Sequence, residues 1–292
     1  MSLDCVTAFR DALQAVYGPL DWLPEPDGQL HRFHVPGDRA GSRNGWYVLF
    51  PDGLAAGAFG SWKVGEAHHW SSRTPADPQE AEQVRQRIEQ ARRQREAEQH
   101  RRQQDAAIRA WHLWRAATPA DPEHPYLSRK RVKPHALRQR GDVLLVPLYR
   151  DGALVNLQRI HPDGDKRFLP GGLVKGCYSP IGPRAPGQKL YLCEGWATGA
   201  TIHEHNGAAV ACAMNADNLY PAGVRLRRAY PDDVLVVAGD DDRQTEGNPG
   251  RTKANQAAAL LGCGVVFPPW PADAPLSLSD FNDLRLWLEA HP

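Results

Sequence analysis

The chain has 292 residues, with 35 Lys plus Arg against 34 Asp plus Glu and a formal net charge of +1, enough for one large domain or two to three small ones. No window approaches the ~20 continuous apolar residues of a membrane span, and the N-terminal Met-Ser-Leu-Asp-Cys-Val-Thr lacks the basic-then-apolar layout of a secretory signal, so an intracellular protein is expected. The cysteines (Cys5, Cys177, Cys193, Cys212, Cys263) are scattered without a C-x-x-C pair, which excludes a zinc ribbon and a disulfide framework and predicts reduced, packed thiols. The near-neutral balance hides a split. Residues 1–185 carry 27 cations against 21 anions, and residues 186–292 carry 8 against 13. With 28 Arg and only 7 Lys, the basic part is built from planar guanidiniums suited to phosphate contact and base stacking.

In chain order, Val6, Phe9, Leu13, Val16 and Tyr17 recur at helical spacing over residues 1–17, and Gly18-Pro19 stops that helix. Residues 30–70 read as strands (31–35, 46–50 and 56–62) separated by Gly- and Asp-rich turns, a small β-rich domain spanning 1–75. From Asp77 to Ala117 the composition is Glu, Gln, Arg and Ala without Gly, which predicts one long connecting helix over 76–117. Its solvated face accounts for most of the Arg residues, with Arg92, Arg93, Arg101 and Arg102 the alternative phosphate contacts. Trp111 and Trp114 are expected to dock the end of the helix on a core.

Residues 118–185 form a basic α+β unit, with strands at 143–146 and 154–160, a Pro162-Asp163-Gly164 turn, and Lys166, Arg167 and Lys175 beside glycines where a phosphate can approach. Residues 186–292 change rhythm. Short apolar strands at 190–193, 208–212, 234–238 and 265–267 alternate with helices, the pattern of an α/β domain with a parallel sheet. Glu194 ends the first of these strands, and Asp240-Asp241-Asp242 ends the third. Strand ends of a parallel sheet share one edge, so these carboxylates converge there and call for a hard cation, Mg²⁺ or Mn²⁺.

These residues resemble the TOPRIM domain of DnaG-type primases, topoisomerases and some nucleases, through Glu194-Gly195 and Asp240-x-Asp242. The runs Gly247–Ala254 and Ser279–Leu284, and the segment Asn156–Gly172, are similar to phage- and plasmid-type primases of the primase-helicase class, a resemblance covering residues 118–292. Residues 30–70 are similar to the N-terminal region of such proteins through Gly41–Tyr47 and Gly57–Lys63. The resemblance implies a DNA primase that makes short RNA primers on single-stranded DNA. Two or more Mg²⁺ or Mn²⁺ ions and no zinc are expected, with ribonucleoside triphosphates as substrates and a replicative helicase as partner, in the cytoplasm, encoded by a bacterium, phage or plasmid. It implies that Glu194 lies closest to the nucleophile, that Asp240 and Asp242 hold metals with Asp241 auxiliary, and that Lys166, Arg167, Lys175 and Lys253 face template or nucleotide phosphates. Bacterial replicative primases carry an Asp four residues after the Glu; this chain has Thr198, so one metal-site carboxylate is expected to be either absent or supplied from elsewhere, with Asp280 or Asp283 the candidates for that role. No P-loop occurs, so a helicase motor is not written in this chain. The rival readings are a TOPRIM nuclease with the same carboxylates and a non-catalytic single-strand-binding module that recruits a helicase. On the primase reading, residues 1–75 are expected to read the template in place of a zinc ribbon, through Arg32, Arg39, Arg43, Trp62, Lys63 and Trp70, with Trp46 in the little domain's core.

Overall fold

Helix α1 (Ser2–Tyr17) buries Val6, Phe9 and Leu13 as its 3.6-residue spacing requires, and Gly18, at φ +83°, ends it. The computed structural model describes residues 2–291 and divides into two units, after Arg101. In the first, strands β1 (His31–Phe33), β2 (Gly45–Phe50), β3 (Ala56–Ser61) and β4 (Ala67–Ser71) form an antiparallel sheet in that order. α1 covers one face, packing Phe9 and Leu13 with Phe33, Tyr47, Leu49 and Phe59. The first part of α2 (Pro78–Arg115) covers the other, where Ile88 and Ala91 meet Trp46, Val48, Phe50 and Ala58. With both faces covered, β2 and β3 are buried throughout, and alternation of polar and apolar residues disappears. Each large side chain sealed in this way contributes about 1.5–3 kcal/mol. Gly60 is obligatory, since a Cβ there would lie 2.2 Å from the Glu66 carbonyl oxygen. Trp46 is core, Trp70 packs edge-on against Phe9, and Arg32 lies 4.9 Å over Trp62.

α2 starts at Pro78, where the Asp77 carboxylate accepts the Glu80 N–H at 2.8 Å, two residues inside each end of the predicted 76–117 span. In the second unit its C-terminal turns lie on a second antiparallel sheet, ordered β5 (Thr118–Pro119), β6 (Arg138–Arg140), β7 (Val143–Arg150), β8 (Ala153–Ile160) and β9 (Lys166–Phe168). Ala110, Leu113 and Trp114 meet Leu145, Leu157 and Leu169 there. Trp114 docks as expected, with the Arg138 guanidinium 4.9 Å over its ring; Trp111 does not, and remains 46% exposed. The opposite face of the sheet, Leu144, Val146, Leu148 and Ile160, shares a core with the last third of the chain and with α3 (Pro125–Lys130).

That last third is built on a sheet ordered β10 (Ser179–Ile181), β12 (Ala209–Cys212), β11 (Lys189–Cys193), β13 (Val234–Ala238) and β14 (Gly264–Val266). β12, β11, β13 and β14 run parallel; β10 pairs antiparallel to β12 at the edge. Composition did not reveal β10, because three residues centred on Pro180 carry too little pattern to read as a strand. Helices α4 (Trp196–Asn206) and α7 (Phe281–Ala290) pack together, and α5 (Leu219–Ala229) and α6 (Pro249–Leu261) join the second core cluster. Cys177, Cys193 and Cys212 are buried thiols; burial raises the Cys177 pKa, and the hydrogen bond to Cys212 followed by burial raises that of Cys193.

Candidate active site

Register brings the carboxylates together. Cys193 pairs with Ala238 across β11 and β13, so Glu194 follows the end of one strand and Asp240 stands two residues past the end of its neighbour. The adjacent end of β12 holds Glu194 from the other side: the Met214 N–H donates to the Glu194 carbonyl oxygen at 2.7 Å, with Met214 in the left-handed region at φ +72°. Asp242 is fastened by the start of α6, where the Gly250 N–H donates to its Oδ2 at 2.8 Å. A Cβ on Gly250 would lie 2.8 Å from that oxygen and 2.9 Å from the Asp240 carbonyl oxygen, so close passage of the helix depends on glycine. Asp280, the N-cap of α7, accepts the Asp283 N–H at 2.8 Å and the Thr198 hydroxyl at 3.2 Å. The Thr198 hydroxyl thus holds Asp280 by a hydrogen bond.

The electrostatics are those of crowded acids. Burial, then the charges of Asp280, Glu194 and Asp242, push the Asp240 carboxyl up to about 8. Burial and Asp242 raise Glu194, while the Ala216 N–H and Lys166 pull it back. Burial and Asp283 raise Asp280. The buried Asp240 Oδ1 has no hydrogen-bond partner. An unpartnered buried carboxylate oxygen among mutually repelling hard-oxygen donors fits a divalent cation of the Mg²⁺ or Mn²⁺ type. The donors are loosely gathered. Among the described residues, three donor atoms fall within 4.8 Å of one another only at Glu25, Asp27 and His31, on the first unit.

The other predicted residues separate. Lys166 faces this edge: crowding by protein lowers its pKa, against the smaller opposing pull of the Asp280, Asp240 and Glu194 charges, and its ammonium lies 5.4 Å over the Tyr126 ring. Arg167, one residue along β9, projects from the opposite side of the sheet, in register with Arg159, and pairs with Asp165 at 2.8 Å. Asp241 turns towards α6, where Arg251 grips it with two hydrogen bonds of 2.8 Å and Asn248 adds one of 2.6 Å; Arg251 holds its pKa below the ordinary carboxylate range. Lys253 pairs with Asp217, and Lys175 is exposed. Two residues at this edge escaped sequence reasoning. Tyr126 is buried with an unpartnered hydroxyl, its pKa pushed up to about 12 by burial, and Lys130 pairs with Asp283 at 3.2 Å. Neither belongs to a recurring pattern; only their place on α3 beneath the edge selects them.

The class of domain is defined by comparison as well as geometry, because residues 189–286 match the Toprim domain. The chain is similar to the DNA primases TraC of Escherichia coli. It is 35% identical to one over 277 residues, a match covering 89% of this chain and 26% of that protein, and 32% identical to another over 276 residues, covering 88% and 19%. It therefore spans about a quarter or less of the length of these relatives. The primase fragment of the bacteriophage T7 primase-helicase protein is similar at 16% identity with a TM-score of 0.42, covering 58% of this chain and 71% of that one.

Proposed function

We propose that this chain is the catalytic part of a DNA primase, joining ribonucleotides on a single-stranded DNA template by metal-dependent nucleotidyl transfer. The observation that carries the reading is the single edge where Glu194, Asp240, Asp242 and Asp280 meet Lys166. In the reaction the 3′-hydroxyl oxygen bonds to the α-phosphorus of the incoming nucleotide, the bond to the pyrophosphate breaks, and the hydroxyl proton must leave. Divalent ions, two or more of Mg²⁺ or Mn²⁺ held by Glu194, Asp240, Asp242 and Asp280, would lower the cost of both oxygens' charge. Glu194, with its raised proton affinity, suits the proton of the attacking hydroxyl. Lys166 offers its ammonium to the nucleotide phosphates. Asp241 keeps the Asp240–Asp242 loop in place through Arg251.

Residues 118–185 and 186–292 act as the basic and acidic halves of this catalytic part, and residues 1–75 bind template. A replicative helicase is the natural neighbour of such an enzyme, and the bacterial cytoplasm its place; no helix among the described residues is long and apolar enough to cross a membrane. The TOPRIM nuclease reading has no observation in its favour, since the curated relatives are primases. Labelled ribonucleotide incorporation on single-stranded DNA with Mg²⁺ or Mn²⁺ tests the proposal. Glu194→Gln should lose roughly 100-fold or more of the incorporation while binding DNA normally. Equal incorporation by the variant removes Glu194 from the chemistry, and none by the native chain overturns the reading.

A further inference from the structure

The second half of α2 has an outward stripe that the proposed active site does not use. Its inner positions, Ala106, Ala110, Leu113 and Trp114, are packed. Turned away from them, Ile108 is 58% and Trp111 46% exposed, although apolar residues cost least when covered. The Arg115 guanidinium lies 4.6 Å over the Trp111 ring, and His112 meets the same ring edge-on at 4.9 Å. Between residues 102 and 117 the chain carries Arg102, Arg109 and Arg115 against one acid, Asp105. An indole whose electron-rich face is engaged by a guanidinium, on a helix segment of net positive charge, complements a polyanion with flat apolar rings. Two exposed apolar residues, one of them under a guanidinium, are too small a patch for a stable protein–protein interface, which needs ~800 Å² from each partner.

We infer that Trp111 and Arg115 form a stacking platform on α2 for a single-stranded nucleic acid, the ring taking a base and the guanidinium a neighbouring phosphate. This deepens the primase reading and rests on it only for the source of the strand.

The test uses the full chain and fluorescence anisotropy of a labelled single-stranded oligothymidylate, beside an abasic oligonucleotide of the same length. Trp111→Ala should weaken binding of the base-bearing strand roughly 5- to 100-fold, the scale of one lost base-stacking contact, and leave the abasic strand unchanged. Trp111→Phe should restore most of the affinity, and Arg115→Ala should reduce the salt dependence by about one phosphate contact. Equal loss on both strands identifies a structural role and overturns the inference. So does no loss on either, and so does failure of the native chain to bind the strand. A native chain that binds the strand and responds to Trp111→Ala, yet incorporates no nucleotide, would overturn the primase reading and leave the platform standing.

Discussion

Asp240 concentrates the cost of assembling this edge. Its folded pKa of about 8 stands above the ~3.9 of an unfolded aspartate, so the folded state binds a proton more tightly. In chelator, the contribution of this group to stability is greatest below about pH 4 and is lost as the pH rises towards 8. The melting temperature should therefore fall by several degrees across that window, and Asp240→Asn should flatten the fall. Added Mn²⁺ at pH 8 should restore the native chain and not the variant. A native profile that stays flat in chelator would mean that the acids do not repel as inferred. Neighbouring cations are distinguished just as sharply. Lys166→Ala should lower incorporation at least roughly tenfold, because it removes the ammonium facing the carboxylates, whereas Arg167→Ala, losing only an exposed pair with Asp165, should stay within about twofold. Equal effects would show that strand alternation does not separate their roles.

Among the elements, α6 governs the acidic loop. Its N-terminal turn offers the Gly250 N–H to Asp242, and Arg251 from the same turn anchors Asp241. Alanine is the better helix former by about 1 kcal/mol, so helix propensity alone favours Gly250→Ala. Contact decides against it, since the new Cβ would lie 2.8 Å from a carboxylate oxygen and 2.9 Å from a backbone oxygen that cannot both move away cheaply. The expected outcome is unchanged far-ultraviolet circular dichroism with incorporation reduced roughly tenfold or more by displaced carboxylates. Undiminished incorporation would show that the loop tolerates the shift and that α6 does not set the site.

At the scale of the molecule, each unit carries its own packed cluster: Phe9, Leu13 and Tyr47 in the first, and Leu144, Trp196 and Val210 in the second. Residues 102–292 should then fold without residues 1–101, giving a cooperative melt by calorimetry. If the first unit binds template as proposed, that fragment should still extend an annealed primer, while initiation on a bare single strand should fall well below that of the whole chain. Initiation at the native rate and at the same start sites would place template reading in the second unit. A fragment that melts without cooperativity would show that α2 must be whole for the second unit to hold.

Local pattern alone determined the amphipathic α1, the long α2, the alternation of short strands and helices after residue 186, and the carboxylates at two strand ends. Each depends on periodicity or on strand ends that a parallel sheet must align. Only tertiary structure decided the rest. Asp241 lies between Asp240 and Asp242 in sequence, yet α6 takes it; Arg167 follows Lys166, yet the pleat of β9 turns it to the other face. Trp111 and Trp114 read alike on a helix, and the position of the sheet beneath them packs one and leaves the other open. Tyr126, Lys130 and Thr198 gather at the edge from distant segments, because contacts across long chain separations leave no local period to read.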